Sequence, residues 1–321
     1  MAYVWLVVGF ILLIKGADYF VEGSAGVAKS FHIPGIIIGM TIVAMGTSAP
    51  ECAVSTAASL KGNNGIAISN VVGSNICNLL LVCGLCAIIK ALPVQISTIK
   101  REFPFSIIAQ VVLLFLGADY ILFGKDANNI LGRVDGLILL AMFIFFLSWM
   151  VRVTMKSRQQ GASANEEAED EKPLSTARCL IYIVLGIAAI VFGSDLAVDS
   201  VAVIAKQFGL SENMIGLTVI AVGTSLPELV TSLVAAKKGE VDMAIGNVIG
   251  SNIFNVLFVL GIASTISSIP LLMESVYVLI FLNVVSVIVL LFASTDKKIG
   301  RLEGMFMLLM YVADMVYVCM R

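Results

Sequence analysis

The sequence predicts an all-α polytopic membrane protein, with ten transmembrane helices arranged as two inverted five-helix repeats. Three observations carry that expectation. The 321 residues are 59% hydrophobic and only 13% charged, with a mean hydropathy of +1.02, which leaves too little polar surface for a soluble chain of this size. Ten apolar segments can be marked, each near the roughly 20 residues that cross a hydrocarbon core. The two halves are also copies: from Gly39 to Gly84, 24 of 46 positions are identical to the residue 177 places later, without a gap.

The first segment, Tyr3 to Ala28, lacks a basic leader and runs on into "KGADYFVEGSAG" without a small-residue cleavage site. It reads as a retained helix rather than a signal peptide. The second, Ile33 to Leu60, should break near Pro50, which has no N–H and clashes with the carbonyl four residues back. The third, Ile66 to Ile89, carries Asn70, Ser74 and Asn78 at i, i+4 and i+8, a polar stripe on one helix face. Phe103 to Phe123 and Gly136 to Val153 complete the first half.

"KSRQQGASANEEAEDEKPLS" follows, polar, acidic and without apolar periodicity, as expected of a linker. Beyond it lie Ala177 to Ala205, Met214 to Ala236, Met243 to Ile266, Ser275 to Phe292 and Gly304 to Met320. The expected organisation is a first repeat over residues 1–155, a linker over 156–176 and a second repeat over 177–321. Five spans per copy is an odd number, so the second copy enters the membrane inverted. Such repeats build secondary transporters with the ion site at mid-membrane.

Fourteen Lys and Arg residues fall in loops on the linker side and five on the other. Positive charge collects on the cytoplasmic side, so the linker is expected inside and both termini outside, in a cell (inner) membrane. The net charge of -2 and the absence of a basic patch give no reason to expect nucleic acid, and no obligate protein partner is evident. The six cysteines lack zinc spacing and read as small packing residues. His32 is the single histidine, too few for a multi-histidine metal site.

The chemistry lies in two repeated strings. "GTSAPE" (Gly46 to Glu51) returns as "GTSLPE" (Gly223 to Glu228), and "NVVGSNICN" (Asn70 to Asn78) returns as "NVIGSNIFN" (Asn247 to Asn255). A proline break frees backbone carbonyls at membrane depth, tolerated only where protein, water or an ion satisfies them. Thr47 and Ser48 precede Glu51 by four and three residues and share its face if helical geometry persists. Carboxylate, hydroxyl, amide and carbonyl oxygens suit Ca²⁺, which takes about 6–8 of them, and also Na⁺. They do not suit soft metals. Glu51 and Glu228 together balance one Ca²⁺ or two Na⁺.

Plainer readings compete. "SAPE" and "SLPE" match the S-x-x-E capping box, so Ser48 and Ser225 have a structural use at a helix start. The glycines suit close helix packing. Packing gives no reason for the two glutamates. Asp18, Glu22, Asp195 and Asp199 form a weaker set, with Lys15 in reach of Asp18, and stay outside the expected site.

G-T-S-x-P-E followed by G-S-N-x-x-N, in both halves, resembles the α-repeats of sodium/calcium exchangers. More broadly the chain is similar to the cation/calcium antiporter superfamily in its compact prokaryotic form. The resemblance implies coordinating roles for the Ala44 carbonyl, Thr47, Ser48, Glu51, Ser74 and Asn78, and for Ala221, Thr224, Ser225, Glu228, Ser251 and Asn255. It also implies that the first and sixth spans form a gate sliding across eight core helices. Some members carry an acid where this chain has Asn78 or Asn255, so stoichiometry and proton coupling stay open.

The expected function is an antiporter, with no enzymatic activity and no cofactor, exchanging Ca²⁺ for Na⁺ by alternating access. The alternative uses H⁺ as counter-ion, carried by Glu51 or Glu228. A channel is disfavoured because a closed two-acid site binds divalents too well to conduct. A hydrolase built on Ser48 or Ser225 lacks a nearby histidine or lysine base.

Overall fold

The computed structural model describes residues 1–117, 129–161, 175–209 and 221–320, and these are mostly helical. Helix α1 (Ala2–Phe31) stops at His32, which takes a left-handed φ of 53°. Pro34 follows, and the position before proline is disfavoured for helix. The lone histidine therefore sits at a chain turn. Helices α2 (Gly35–Thr47) and α3 (Ala49–Leu60) meet at a 48° bend, with Pro50 in the first turn of α3. The break expected at Pro50 is present.

Helices α4 (Asn64–Ile89), α5 (Phe103–Gly117) and α6 (Arg133–Gly161) complete the first half. The second half comprises α7 (Thr176–Gln207), the short α8 (Ala221–Gly223), α9 (Leu226–Lys238), α10 (Val241–Ile266), α11 (Met273–Thr295) and α12 (Arg301–Met320). Among the described residues, six helices are long and apolar enough to cross a membrane, and the bent α2–α3 pair makes a seventh. Parts of the fourth and seventh expected segments (118–123 and 214–220) and most of the linker (162–174) lie outside the described residues. Helix α6 runs to Gly161, past the expected linker start at 156. Its last turns hold Lys, Arg and Gln, which favour helix despite their polarity.

Structural details recur at the offset of the sequence copies. The π-helical turn Asn78–Val82 in α4 returns as Asn255–Val259 in α10. Strand β1 (Leu92–Pro93) has its counterpart in β3 (Ile269–Pro270). The pairing is exchanged between halves: β1 is antiparallel to β4 (Lys298–Ile299), and β3 to β2 (Ile130–Leu131).

Two layers position the site. Helices α4 and α10 are the innermost, with 72% and 89% of their apolar windows buried against 28–39% for the other long helices. Outside them, α1 and α7 lie backbone to backbone. A Cβ built on Gly9 would stand 2.9 Å from the Gly193 carbonyl oxygen, and one on Gly186 would stand 2.8 Å from that of Gly16. Only glycine permits that approach, and the spacing of seven residues from Gly9 to Gly16 to Gly23 keeps it on one face.

The two ends of the molecule are fixed by contacts. At one, Asn64 at the start of α4 bonds Ser267 and Ser268 just after α10. At the other, Gln95 beyond the end of α4 bonds Asp242 at the start of α10. The turn after α3 (Lys61) thus lies at the first end, and the end of α9 (Lys238) at the second.

Candidate cation site at the helix crossing

Helices α4 and α10 are held together by reciprocal amide bonds. Asn75 Nδ2 donates to the Asn252 carbonyl at 3.2 Å, and Asn252 Nδ2 donates to the Asn75 carbonyl at 3.3 Å. Asn78 Nδ2 donates to Asn252 Oδ1, and Asn255 Nδ2 to Asn75 Oδ1, both at 3.2 Å. Each bond maps onto its partner when the halves are exchanged. The donors of Asn78 and Asn255 face the crossing, while their Oδ1 atoms are buried with no hydrogen-bond partner.

The bent α2–α3 pair and the break between α8 and α9 flank this crossing. Ser48 (φ -84°, ψ 11°) and Ser225 (φ -90°, ψ 5°) precede α3 and α9 at the N-cap position, yet neither makes a side-chain cap. Instead Ser48 Oγ donates to Glu228 Oε1 of the other half at 2.6 Å. Ser74 Oγ lies 3.4 Å from Glu51 Oε1. Thr47 Oγ1 has one proton to serve Val43 O at 3.1 Å, Asn247 Oδ1 at 3.1 Å and Ala44 O at 3.3 Å. Its counterpart Thr224 lies 3.4 Å from Asn70 Oδ1. The Ala44 carbonyl takes the Ser48 N–H at 3.0 Å and shares the single Thr47 hydroxyl proton with two other acceptors. Pro50 has no N–H to return to the Gly46 carbonyl. Ser251 Oγ lies 3.5 Å from Asn247 Oδ1, and Ala221 opens α8.

Thr47, Ser48, Glu51, Ser74, Asn78, Ser225, Glu228, Ser251 and Asn255 are all buried. Five of their oxygens have no hydrogen-bond partner: Glu51 Oε2, Glu228 Oε2, Ser225 Oγ, Asn78 Oδ1 and Asn255 Oδ1. An unsatisfied buried acceptor costs about 1–3 kcal/mol, more when charged. Five at one crossing form a cluster of unpaired oxygens of the kind that hard cations take as ligands. No group of three or more His, Cys, Asp or Glu that could hold a metal ion is found among the described residues.

Asn75 and Asn252 were not among the sequence candidates, and Asn70 and Asn247 were noticed only as part of the stripes. Asn75 follows Ser74 and so falls off the i, i+4, i+8 face. Its retention at the repeat offset within "GSN" was the available signal. Asp18 and Glu22 lie away from the crossing, against Lys238. The long helices α1 and α7 do reach the motifs: Gly46 faces the Phe20 ring of α1, and Gly223 faces the Val198 side chain of α7.

The sequence profile described as "Sodium/calcium exchanger protein" matches residues 1–152 and again 179–320. The chain belongs to the sodium/calcium exchanger family. The sodium/calcium exchanger MaX1 of Methanosarcina acetivorans is 32% identical over 345 aligned positions, spanning 97% of this chain and 96% of that one. The inner membrane protein YrbG of Escherichia coli is 38% identical over 265 residues, 82% of this chain and 79% of that one. The solved structure of the sodium-calcium exchanger NCX_Mj, soaked with zero Na⁺ and Ca²⁺, superposes with a TM-score of 0.83 at 33% identity, covering 99% of this chain and 98% of that one. The chain is thus a membrane-embedded cation/Ca²⁺ antiporter and not an enzyme, in a family that carries Ca²⁺ and Na⁺ without a cofactor.

Proposed function

We propose that the chain exchanges Ca²⁺ for Na⁺ by alternating access through the α4–α10 crossing. The observation that carries this reading is the Ser48 hydroxyl. It leaves its own helix start uncapped and bonds Glu228 of the other half, while Oε2 of both glutamates stays unpartnered. Each half then supplies part of one cage. Glu51 and Glu228 balance one Ca²⁺ or two Na⁺. Thr47, Ser48, Ser74, Asn78, Thr224, Ser225, Ser251, Asn255 and the Ala44 and Ala221 carbonyls complete the oxygen shell. Ions competing for the same oxygens couple the two fluxes, because a cage with two uncompensated acids is costly to carry across.

The same reading assigns ten spans in two inverted repeats, residues 1–155 and 177–321, with the linker at 156–176 cytoplasmic and both termini outside. The recurrence of elements at one offset and the exchanged strand pairs support it. Sodium is favoured as counter-ion because the similar proteins MaX1 and NCX_Mj are sodium/calcium exchangers. The test is ⁴⁵Ca²⁺ uptake into proteoliposomes loaded with Na⁺ and diluted into Na⁺-free buffer. Uptake is expected to require internal Na⁺ and to vanish in Glu51→Gln and Glu228→Gln. Uptake driven by a pH gradient without Na⁺ would replace sodium by the proton.

A further inference from the structure

Lys238 closes the last turn of α9 and reaches α1. Its Nζ lies 3.4 Å from Asp18 Oδ1, 4.0 Å from Glu22 Oε2 and 3.1 Å from the Asp18 carbonyl oxygen. All three residues have charged counterparts 177 places away: Asp18 matches Asp195, Glu22 matches Asp199, and Lys238 matches Lys61 just beyond α3. The sign of the charge is kept at every position.

A molecule obeying its own repeat would have Lys61 bonded to Asp195 and Asp199. It does not. All three are exposed, and none makes an ion pair among the described residues. The packing shows the same asymmetry, since α1 lies along α9 while α7 has no comparable packing against α3. The two triads belong to opposite ends of the molecule, the Lys238 end tied and the Lys61 end parted. The hydrogen bonds at the α4–α10 crossing, by contrast, are reciprocal. The halves match in this asparagine lacing and differ at the ends.

We propose that Lys238 with Asp18 and Glu22, and Lys61 with Asp195 and Asp199, are two reciprocal latches of the transport cycle. Each closes its own end by tying a long helix, α1 or α7, to the bent helix of the other half, and only one is engaged at a time. The proposal rests on the alternating-access reading above. It makes Lys61, Asp195 and Asp199 positioning residues for a state in which the Lys61 end is closed. Ion pairs this exposed are individually weak, which suits contacts broken once per turnover.

Two measurements on the full chain in liposomes test it. Carbodiimide joins an ammonium to a carboxylate only where the two are in contact. During turnover it is expected to yield Lys61–Asp195 or Lys61–Asp199 amides besides those of Lys238, detected by mass spectrometry. The second reads the Ca²⁺ KM from the Lys238 face. Lys61→Gln depopulates the state open there and raises that KM about threefold to fivefold; Lys238→Gln favours the same state and lowers it. Lys61→Asp combined with Asp195→Lys restores the original value. Absence of any Lys61 amide in protein exchanging at full rate, or unchanged KM in both variants, overturns the latch and leaves antiport standing. Absence of Na⁺-dependent and pH-driven exchange in the unsubstituted protein removes the antiport reading and the latch with it.

Discussion

Ser48 stands one residue before an Ala-Pro helix start, where a serine ordinarily caps the backbone at a gain of about 0.5–2 kcal/mol. The chain forgoes that cap at both Ser48 and Ser225. The Ser48 hydroxyl satisfies a carboxylate of the other half instead, and a bond to a charged group is worth about 1.5–3 kcal/mol. Ser48→Ala should therefore damage ion binding more than folding. We expect about a tenfold weaker Ca²⁺ affinity by isothermal titration with only a modest fall in the ion-free Tm from the lost bond; a large Tm loss with unchanged affinity would show that the hydroxyl serves the fold alone. The glutamates were legible in the sequence because an acid in an apolar run has no packing excuse. The destination of the Ser48 hydroxyl was not, since S-x-x-E describes a capping box equally well and only the fold brings Glu228 within reach. Asn75 and Asn252 were hidden for a related reason: their bonds join two helices that are far apart in sequence.

At the scale of elements, the breaks and the contacts differ in legibility. Pro50 and Pro227 announce bends through their missing N–H. The glycines of α1 and α7 announced only that some backbone approaches closely, and the structure supplies which one. A Cβ on Gly16 would meet Ile190 N at 2.9 Å and Gly186 O at 3.0 Å. Gly16→Val should force the two long helices apart at about 1–3 kcal/mol, without touching the asparagine lacing of α4 and α10. The expected result is exchange reduced more than tenfold in a variant that still binds Ca²⁺. Loss of binding would instead mean that the outer pair and the crossing are one packing unit. Helix α6 continues to Gly161 because polar residues at 156–161 break hydrophobic periodicity but not a helix.

At the scale of the whole molecule, the proposed cage draws on α2–α3, α4, α8–α9 and α10, so an ion in it would join pieces from both halves. A ligand that binds only the folded chain stabilises it by RT ln(1 + [L]/Kd), about 2.7 kcal/mol at a hundred times Kd. For a chain of this length that corresponds to a rise in Tm of roughly 4 °C. Ca²⁺ added to the chelated protein should produce that rise, and Na⁺ should compete it away before adding stability of its own at higher concentration. Mg²⁺ should be far less effective, because it gives up its water reluctantly and demands near-octahedral geometry, which a mixed set of hydroxyl, amide and carboxylate oxygens from two halves does not supply. Glu51→Gln and Glu228→Gln each remove one of the two charges that balance the ion, so either should abolish the Ca²⁺-dependent part of Tm. The ion-free Tm should hold or rise, since a buried acceptor without a partner is replaced by a neutral amide. A Ca²⁺ shift that survives in both variants would place the stabilising ion away from the crossing, and the oxygens left unpartnered there would need a different occupant.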